Sequence, residues 1–152
     1  MPDAEPLRVL SDAMSTSDPT TPRPRIIVTA AVVERDDAFL VTRRQAGVHL
    51  EGYWEFPGGK CDAGESLAAC LAREMLEELD TAVHTGREIL ATEHTYPERI
   101  VELHFIECQL TGEPRPLLGQ EMRWVKREDL RSLRFPPADD QLIALLESRR
   151  SA

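Results

Sequence analysis

The sequence lacks any long apolar segment. No stretch of its 152 residues approaches the roughly 18 consecutive apolar residues that a membrane-spanning helix requires. The first residues also lack the basic segment followed by an apolar segment that is typical of a secretory signal. We therefore predict a cytoplasmic protein that has no membrane partner.

Cysteine and positive charge are also scarce. The three cysteines, Cys61, Cys70 and Cys108, are odd in number and form no CxxC pair, so we predict no disulfide framework, no cysteine-rich zinc site and a reducing compartment. The 18 basic and 27 acidic residues give a net charge of -9, which opposes binding to nucleic-acid polymers. An acidic protein can still bind a phosphorylated small molecule if divalent cations lie between the two.

The length predicts one domain, which we expect to be a monomer or a weak homodimer. Residues 1–24 hold five of the eleven prolines together with Ser, Thr and Asp, and cannot bury enough apolar surface to offset the entropy cost of ordering. We predict that residues 1–24 form a disordered or mobile tail and that residues 25–150 form the folded domain.

Apolar patterning predicts six strands and two helices. The predicted strands are 26–33, 39–43, 53–56, 88–96, 100–110 and 122–125, and the first two are expected to form a hairpin around a turn at 34–37. An apolar side chain recurs every four residues from Leu67 to Leu79 and predicts one helix, and Pro136 opens the second. This order predicts an α/β (α+β) domain with a mixed β-sheet between helices.

Three glutamates share one face of the first predicted helix. Glu74, Glu77 and Glu78 are spaced i, i+3 and i+4. Carboxylates at such short distances repel one another unless a cation neutralises them. Mg²⁺ prefers oxygen ligands of this kind, and Arg73 is placed to pair with the cluster. A solvent-facing acidic stripe is the alternative, and for the three glutamates alone it is the more frequent explanation.

The spacing around the glutamates favours the metal site. Together with Gly59, Glu65 and Arg73 they make six matched positions, which arise by accident in about one window in ten million if each residue type occurs at roughly 5–8%. The segment resembles the Nudix box, G-x5-E-x7-R-E-U-x-E-E-x-G-U, in which U is aliphatic. It departs at the end, where Asp80 stands for the glycine and Thr81 for the aliphatic residue. Asp tolerates the left-handed conformation expected there, so we predict an intact site at a small cost in stability.

The resemblance to the Nudix family implies an α/β/α sandwich and a hydrolase. The residues that it implies are catalytic Arg73, Glu74, Glu77 and Glu78, and a metal site of Gly58, Glu65, Glu74, Glu77 and Glu78. Mg²⁺ is the implied cofactor, with Mn²⁺ as an alternative. The implied reaction converts a nucleoside triphosphate into the monophosphate and pyrophosphate.

Further segments are similar to the MutT branch of that family. They are Val41–Arg44, His49, Trp54–Lys60, Arg99 and Phe135–Asp139. The likeness implies that Arg44, His49 and Arg99 approach the phosphates and sugar of the nucleotide, and that Phe56 and Asp139 contact the base. Each has a plainer explanation alone, as an edge-strand charge, an exposed loop residue, a core aromatic or an acid in the first turn of a helix. Their joint placement around one box favours the substrate site.

The resemblance implies 8-oxo-dGTP as the first substrate, and a role in cleansing the nucleotide pool for DNA repair. Where MutT has asparagine this chain has Asp139, and an ionised Asp only accepts hydrogen bonds, which also suits the N4–H₂ of cytosine. CTP or 5-methyl-dCTP is therefore the second substrate and ADP-ribose the third, and a module that binds nucleotide without hydrolysis is a further alternative. Leu118 stands where some members place an extra glutamate, and Glu121 is the neighbour that would replace it.

Overall fold

The computed structural model describes residues 23–149. The predicted tail lies outside the described residues except for Arg23 and Pro24. Arg23 Nε donates to Pro97 O at 3.1 Å, and Pro24 O accepts from Ile100 N at 3.0 Å. Within the described range, no helix is both long and apolar enough to cross a membrane.

The order of strands and helices that we predicted is confirmed. Between residues 23 and 149 the elements are β1 (Arg25–Val32), β2 (Glu34–Arg35), β3 (Ala38–Arg43), β4 (Trp54–Glu55), β5 (Gly58–Lys60), α1 (Leu67–Leu79), β6 (Val83–Thr95), β7 (Ile100–Leu110), β8 (Met122–Lys126) and α2 (Asp140–Ser148). Two short 3-10 segments, Arg127–Ser132 and Pro137–Asp139, precede α2. The structure adds two short strands to the prediction, β2 and β5.

The strands form two four-stranded sheets. The first has the order β5-β1-β7-β6 and is mixed, because β1 and β7 are parallel while its other pairs are antiparallel. The second is antiparallel and has the order β2-β3-β4, with β8 also paired to β3. The mixed sheet of the prediction is thus β5-β1-β7-β6.

The predicted hairpin between the first two long strands is wrong. β1 pairs with β5 and β7, whereas β3 lies in the other sheet. The tight turn forms at Asp36 and Asp37, which both have positive φ (52° and 62°), a conformation that Asp tolerates better than most residues. Only the short β2 next to this turn pairs with β3, so the hairpin is limited to two residue pairs.

Two hydrophobic cores lie on opposite faces of the sheets. Successive side chains of a strand point to opposite faces. Ala30 and Val32 on β1 therefore belong to the core that includes the apolar face of α2, while Ala31 and Val33 belong to the core that includes the apolar face of α1. The sheets lie between the two helices, which confirms the predicted α/β/α sandwich.

Local capping fixes both ends of α1. The Ser66 side chain accepts a hydrogen bond from Ala69 N at 3.1 Å at the N-terminus of the helix. Asp80 ends the helix in the left-handed conformation (φ 55°, ψ 37°), as predicted for the position of the box glycine. Its carboxylate also accepts from Arg115 Nε at 3.2 Å. The helix that carries the glutamates is therefore held at both ends.

The prediction of no disulfide is wrong. A disulfide joins Cys61, in the loop between β5 and α1, to Cys70 on α1, and their Cα atoms are 5.2 Å apart. Cys108 is free and buried. The pairing depends on the loop folding back over the first turns of α1, with Cys61 N donating to Ile27 O at 2.8 Å. The separation of nine residues between the two cysteines contains no signal for this fold of the loop.

Candidate active site

Arg73 lies at the centre of the site and donates hydrogen bonds to three carboxylates. Its Nε and Nη2 donate to the two oxygens of Glu65 at 2.8 and 2.9 Å. Its Nη1 donates to Glu74 at 2.9 Å and to Glu77 at 3.3 Å, and Nη2 also donates to Lys60 O at 3.1 Å. These bonds, above all those to Glu65, raise the pKa of Arg73. One guanidinium therefore joins the loop after β5 to α1.

Both oxygens of Glu65 accept hydrogen bonds. Besides the two bonds from Arg73, Glu65 Oε1 accepts from Asp62 N at 2.9 Å. The bonds from Arg73, followed by the one from the Asp62 backbone, lower the pKa of Glu65 to about 2. This environment suits a carboxylate that orients Arg73, and it favours that role over the metal ligation that we also predicted for Glu65.

The three box glutamates differ in exposure. Glu74 is 2% exposed and Glu78 is 9% exposed, whereas 54% of the Glu77 side chain is exposed. Arg73 binds Glu65, Glu74 and Glu77, and Glu78 adds a further carboxylate on the same helix, so the cluster has an excess of negative charge. Nearly buried carboxylates need a compensating charge, and a set of oxygen donors suits a hard divalent cation. The residues present therefore fit the predicted metal.

Two glycines of β5 lie against the neighbouring strand. A Cβ added to Gly58 would lie 2.0 Å from Thr29 O, so a side chain here would push β5 away from β1. Gly59 is buried and precedes the loop that Arg73 holds. Along the chain, Gly58 and Gly59 therefore link the cavity described next to Lys60, whose backbone oxygen binds Arg73.

A cavity of about 140 Å³ opens beside these glycines. Three of the predicted substrate residues, Arg44, Phe56 and Asp139, line it, as do both glycines. The structure therefore brings these residues together from three separate segments of the chain.

The other two predicted substrate residues lie next to the cavity and do not line it. The His49 side chain is exposed, and its backbone oxygen accepts from Arg44 Nε at 2.6 Å. Arg99 is buried in the β6–β7 turn, where its backbone oxygen accepts from Tyr96 N at 2.8 Å. Each of the two thus contacts a residue of the cavity wall through its backbone.

Arg44 supplies positive charge to the cavity. Its side chain is 9% exposed, and Nη1 donates to Glu55 Oε1 at 2.9 Å. Nη2 is buried and has no hydrogen-bond partner among the described residues. A buried guanidinium nitrogen that lacks an acceptor is costly, and a phosphate oxygen would satisfy it.

Asp139 is 6% exposed and lies in the 3-10 segment before α2. Burial, with a smaller contribution from the negative charge of Glu55, raises the pKa of Asp139 to about 8. The carboxyl group is therefore mainly neutral at pH 7. A neutral carboxyl group donates one hydrogen bond and accepts others, unlike the ionised Asp considered from the sequence.

Phe56 is held in the core by two other rings. It stacks on Phe135 with centroids 5.4 Å apart and an angle of 20°, and it meets Phe105 edge to face at 6.4 Å. The same ring lines the cavity. Phe56 is thus a core residue and a rigid part of the cavity wall.

Several cavity residues on β6 and β7 were not predicted from the sequence. His94 and Leu103 line the cavity, as does Tyr96 just beyond β6, and burial raises the pKa of Tyr96. Alternation places residues 94 and 96 on one face. That this face meets the cavity depends on the parallel pairing of β1 with β7, for which a single sequence contains no local signal.

Glu121 is paired with two arginines. Its carboxylate accepts from Arg43 at 3.2 Å and from Arg123 at 3.1 Å, and the bond from Arg43 contributes most to lowering the pKa of Glu121. Leu118 is exposed. The buried Gln120, which the sequence analysis did not single out, instead donates to Glu78 O at 3.3 Å. This arrangement favours catalysis by the box glutamates alone.

Comparison with known proteins supports one family. Residues 28–145 match the family model described as NUDIX domain. An 8-oxo-dGTP diphosphatase of Haemophilus influenzae is 34% identical over 122 residues, which cover 78% of this chain and 90% of that protein. A CTP pyrophosphohydrolase of Escherichia coli is 31% identical over 128 residues, 84% of this chain and 95% of that protein. A solved MutT structure, from work on the Aliivibrio salmonicida and Vibrio cholerae proteins, has a TM-score of 0.70 and 27% identity and covers 82% of this chain and 98% of its own.

Proposed function

This chain belongs to the NUDIX domain family, and we propose that it hydrolyses a nucleoside triphosphate to the monophosphate and pyrophosphate, with 8-oxo-dGTP as the preferred substrate. The observation that carries the proposal is the continuity of the site. Gly58 and Gly59 join the cavity of Arg44 and Asp139 to the carboxylates that Arg73 holds. A nucleotide needs both halves, one for its base and one for its phosphates. The name of the similar Haemophilus influenzae protein supports this substrate.

The cavity would hold the base. The neutral carboxyl group of Asp139 offers one donor and one acceptor, which complement the adjacent O6 acceptor and N1–H donor of a guanine ring. Phe56, Tyr96 and Leu103 supply the apolar and aromatic walls. These contacts recognise a purine edge by paired hydrogen bonds.

The phosphates would extend from this cavity toward the box. Arg44 lines the cavity, and its buried Nη2 would donate to a phosphate oxygen. His49 and Arg99, each next to a cavity residue, are proposed to approach the phosphates and sugar. The positive charge of Arg44 and Arg99 would orient the phosphates of the nucleotide before hydrolysis.

We propose Mg²⁺ as the cofactor, with Mn²⁺ as an alternative. Glu74, Glu77, Glu78 and the backbone oxygen of Gly58 would hold it. When bound, such a cation neutralises phosphate charge and lowers the pKa of water. Glu74, nearly buried and held by Arg73, would accept the proton of the attacking water at a carboxylate oxygen. Attack at the β-phosphorus releases the monophosphate.

A substitution at Glu74 tests this assignment. Pyrophosphate release from 8-oxo-dGTP with Mg²⁺ should be at least about 100-fold slower in Glu74→Gln, because general base catalysis is lost. Glu147→Gln is the matched control, since it removes a carboxylate from α2 that contacts Arg131. The control should keep wild-type activity, and both variants should keep the wild-type melting temperature. Near-normal turnover by Glu74→Gln would overturn the role of this residue.

A cytosine nucleotide is the second candidate. The similar Escherichia coli protein is named as a CTP pyrophosphohydrolase, and ionised Asp139 would accept a hydrogen bond from the N4–H₂ of cytosine. A preference for CTP or 5-methyl-dCTP over 8-oxo-dGTP would select this candidate. Tight nucleotide binding without pyrophosphate release would identify a binding module.

With 8-oxo-dGTP as substrate, the protein would act in the cytoplasm. Removal of the oxidised nucleotide from the pool prevents its incorporation during DNA synthesis. The proposed contribution to DNA repair is therefore preventive, and it requires the protein to prefer the oxidised base over dGTP.

A further inference from the structure

The disulfide lies inside the box itself. Cys61 and Cys70 occupy two positions that the box pattern leaves open, so the pairing is not a requirement of the pattern. The loop that it closes runs from Cys61 to Cys70 and contains Glu65. The disulfide therefore ties the segment that leads out of the cavity to the helix that carries the glutamates.

The disulfide and Arg73 hold the same loop. Arg73 binds Lys60 O and Glu65 in the loop and Glu74 on the helix. The two sulfur atoms and a carboxylate oxygen of Glu65 all lie within 4.8 Å of one another. A displacement at the sulfur atoms therefore reaches Glu65 directly, and through Arg73 it reaches the box.

The two sulfur atoms differ in access to solvent. Cys61 is half-buried, whereas Cys70 is fully buried under the loop. Cys70 Sγ lies 3.3 Å from Thr29 Oγ1, whose hydroxyl group can donate to a thiolate. An external thiolate would attack Cys61, and Cys70 would be the leaving group.

We propose that Cys61–Cys70 is a reversible thiol–disulfide site that sets the cation affinity of the box. A dithiol reductant attacks Cys61 Sγ, the bond to Cys70 breaks, and Cys70 leaves as a thiolate that takes a proton. The second thiol of the reductant then breaks the mixed disulfide and releases the Cys61 thiol. The protein gains two electrons and two protons, and the reductant becomes a disulfide. An oxidised dithiol reverses the exchange.

Reduction removes the covalent attachment of the loop to α1. Hydrogen bonds, chiefly those of Arg73 and of Ser66, would then hold the loop, so Glu65 and the backbone after Gly59 would sample more positions. A site that must be ordered on binding has a lower affinity than a preorganised one. The oxidised protein should therefore bind the cation more tightly. The link to a cation rests on the proposed function.

The test uses the full chain with and without dithiothreitol, under native conditions. Mass spectrometry after alkylation counts the free thiols, and electron paramagnetic resonance of free Mn²⁺ measures the cation affinity. We expect reduction to expose two further thiols, oxidised dithiothreitol to restore the disulfide, and the Mn²⁺ affinity to fall at least about threefold on reduction. Cys61→Ser should bind like the reduced protein and ignore the reductant. Cys108→Ala, which keeps the pair, should respond like the wild type.

The outcomes separate this proposal from the proposed function. A disulfide that native-state reductant does not open, or equal Mn²⁺ affinity in both states, would overturn the redox site. Absence of pyrophosphate release in both states, with a redox-dependent Mn²⁺ affinity, would overturn the hydrolase and leave the redox site supported.

Discussion

Asp139→Asn should retain activity at pH 7 and lose a pH dependence that the wild type has. Asparagine offers one donor and one acceptor at every pH, as the neutral carboxyl group of Asp139 does only while it keeps its proton. Burial first, and the charge of Glu55 second, raise the pKa of Asp139 to about 8. The neutral form therefore persists below this pH and is lost above it.

The expected change in kcat/KM follows from the titration of Asp139 alone. With a pKa of about 8, the neutral fraction of Asp139 falls from about nine tenths at pH 7 to about one tenth at pH 9. If only the neutral form reads the guanine edge, the wild-type kcat/KM for 8-oxo-dGTP should fall about tenfold relative to Asp139→Asn over this interval.

The assay measures kcat/KM of both proteins from pH 6.5 to 9.5 and takes the ratio of the wild type to Asp139→Asn. Ionisation of the substrate and of cation-bound water affects both proteins equally, so the ratio isolates Asp139. A ratio that stays constant across this pH range would show that the protonation of Asp139 does not affect turnover, which contradicts the prediction. A ratio that rises with pH would show that the ionised carboxylate is the competent form.

Three further changes test the geometry of the site. Arg73→Lys keeps the charge but loses the forked guanidinium that reaches three carboxylates, so kcat/KM should fall at least about tenfold, measured by pyrophosphate release. Glu121→Gln should leave kcat/KM within about twofold of the wild type, because this carboxylate is already paired with two arginines; a loss like that of Glu74→Gln would contradict this. Reduction of Cys61–Cys70 should lower the free energy of unfolding in urea by about 2.7 kcal/mol, from the loop-closure entropy of a ten-residue loop. An unchanged urea midpoint would contradict this predicted loss of stability on reduction.

The helix and its carboxylates were predictable because their signals are local. The four-residue repeat from Leu67 to Leu79 determines which side of α1 is buried, and it leaves Arg73 and Glu77 on accessible faces. The exchange of glycine for Asp80 was also interpretable, since the left-handed conformation is a property of single residues. Local chemistry therefore predicted the part of the site that lies on one helix.

The remaining features depend on tertiary packing. β1 and β7 are far apart in the sequence but pair in parallel, residues 25–32 with residues 100–107. This pairing brings Tyr96 and Leu103 to the cavity. The Cys61–Cys70 bond likewise requires the loop to fold onto α1. Asp139 was identified by resemblance, but its neutral form at pH 7 follows from burial, which the sequence does not specify.

We propose that the box and the cavity together hydrolyse an oxidised guanine nucleotide. The most direct test compares kcat/KM for pyrophosphate release from 8-oxo-dGTP, dGTP, CTP, 5-methyl-dCTP and ADP-ribose with Mg²⁺. We predict that 8-oxo-dGTP exceeds dGTP by at least about 100-fold, equivalent to about 2.7 kcal/mol in transition-state binding. A preference for the cytosine nucleotides, or no pyrophosphate from any of the five, would contradict it.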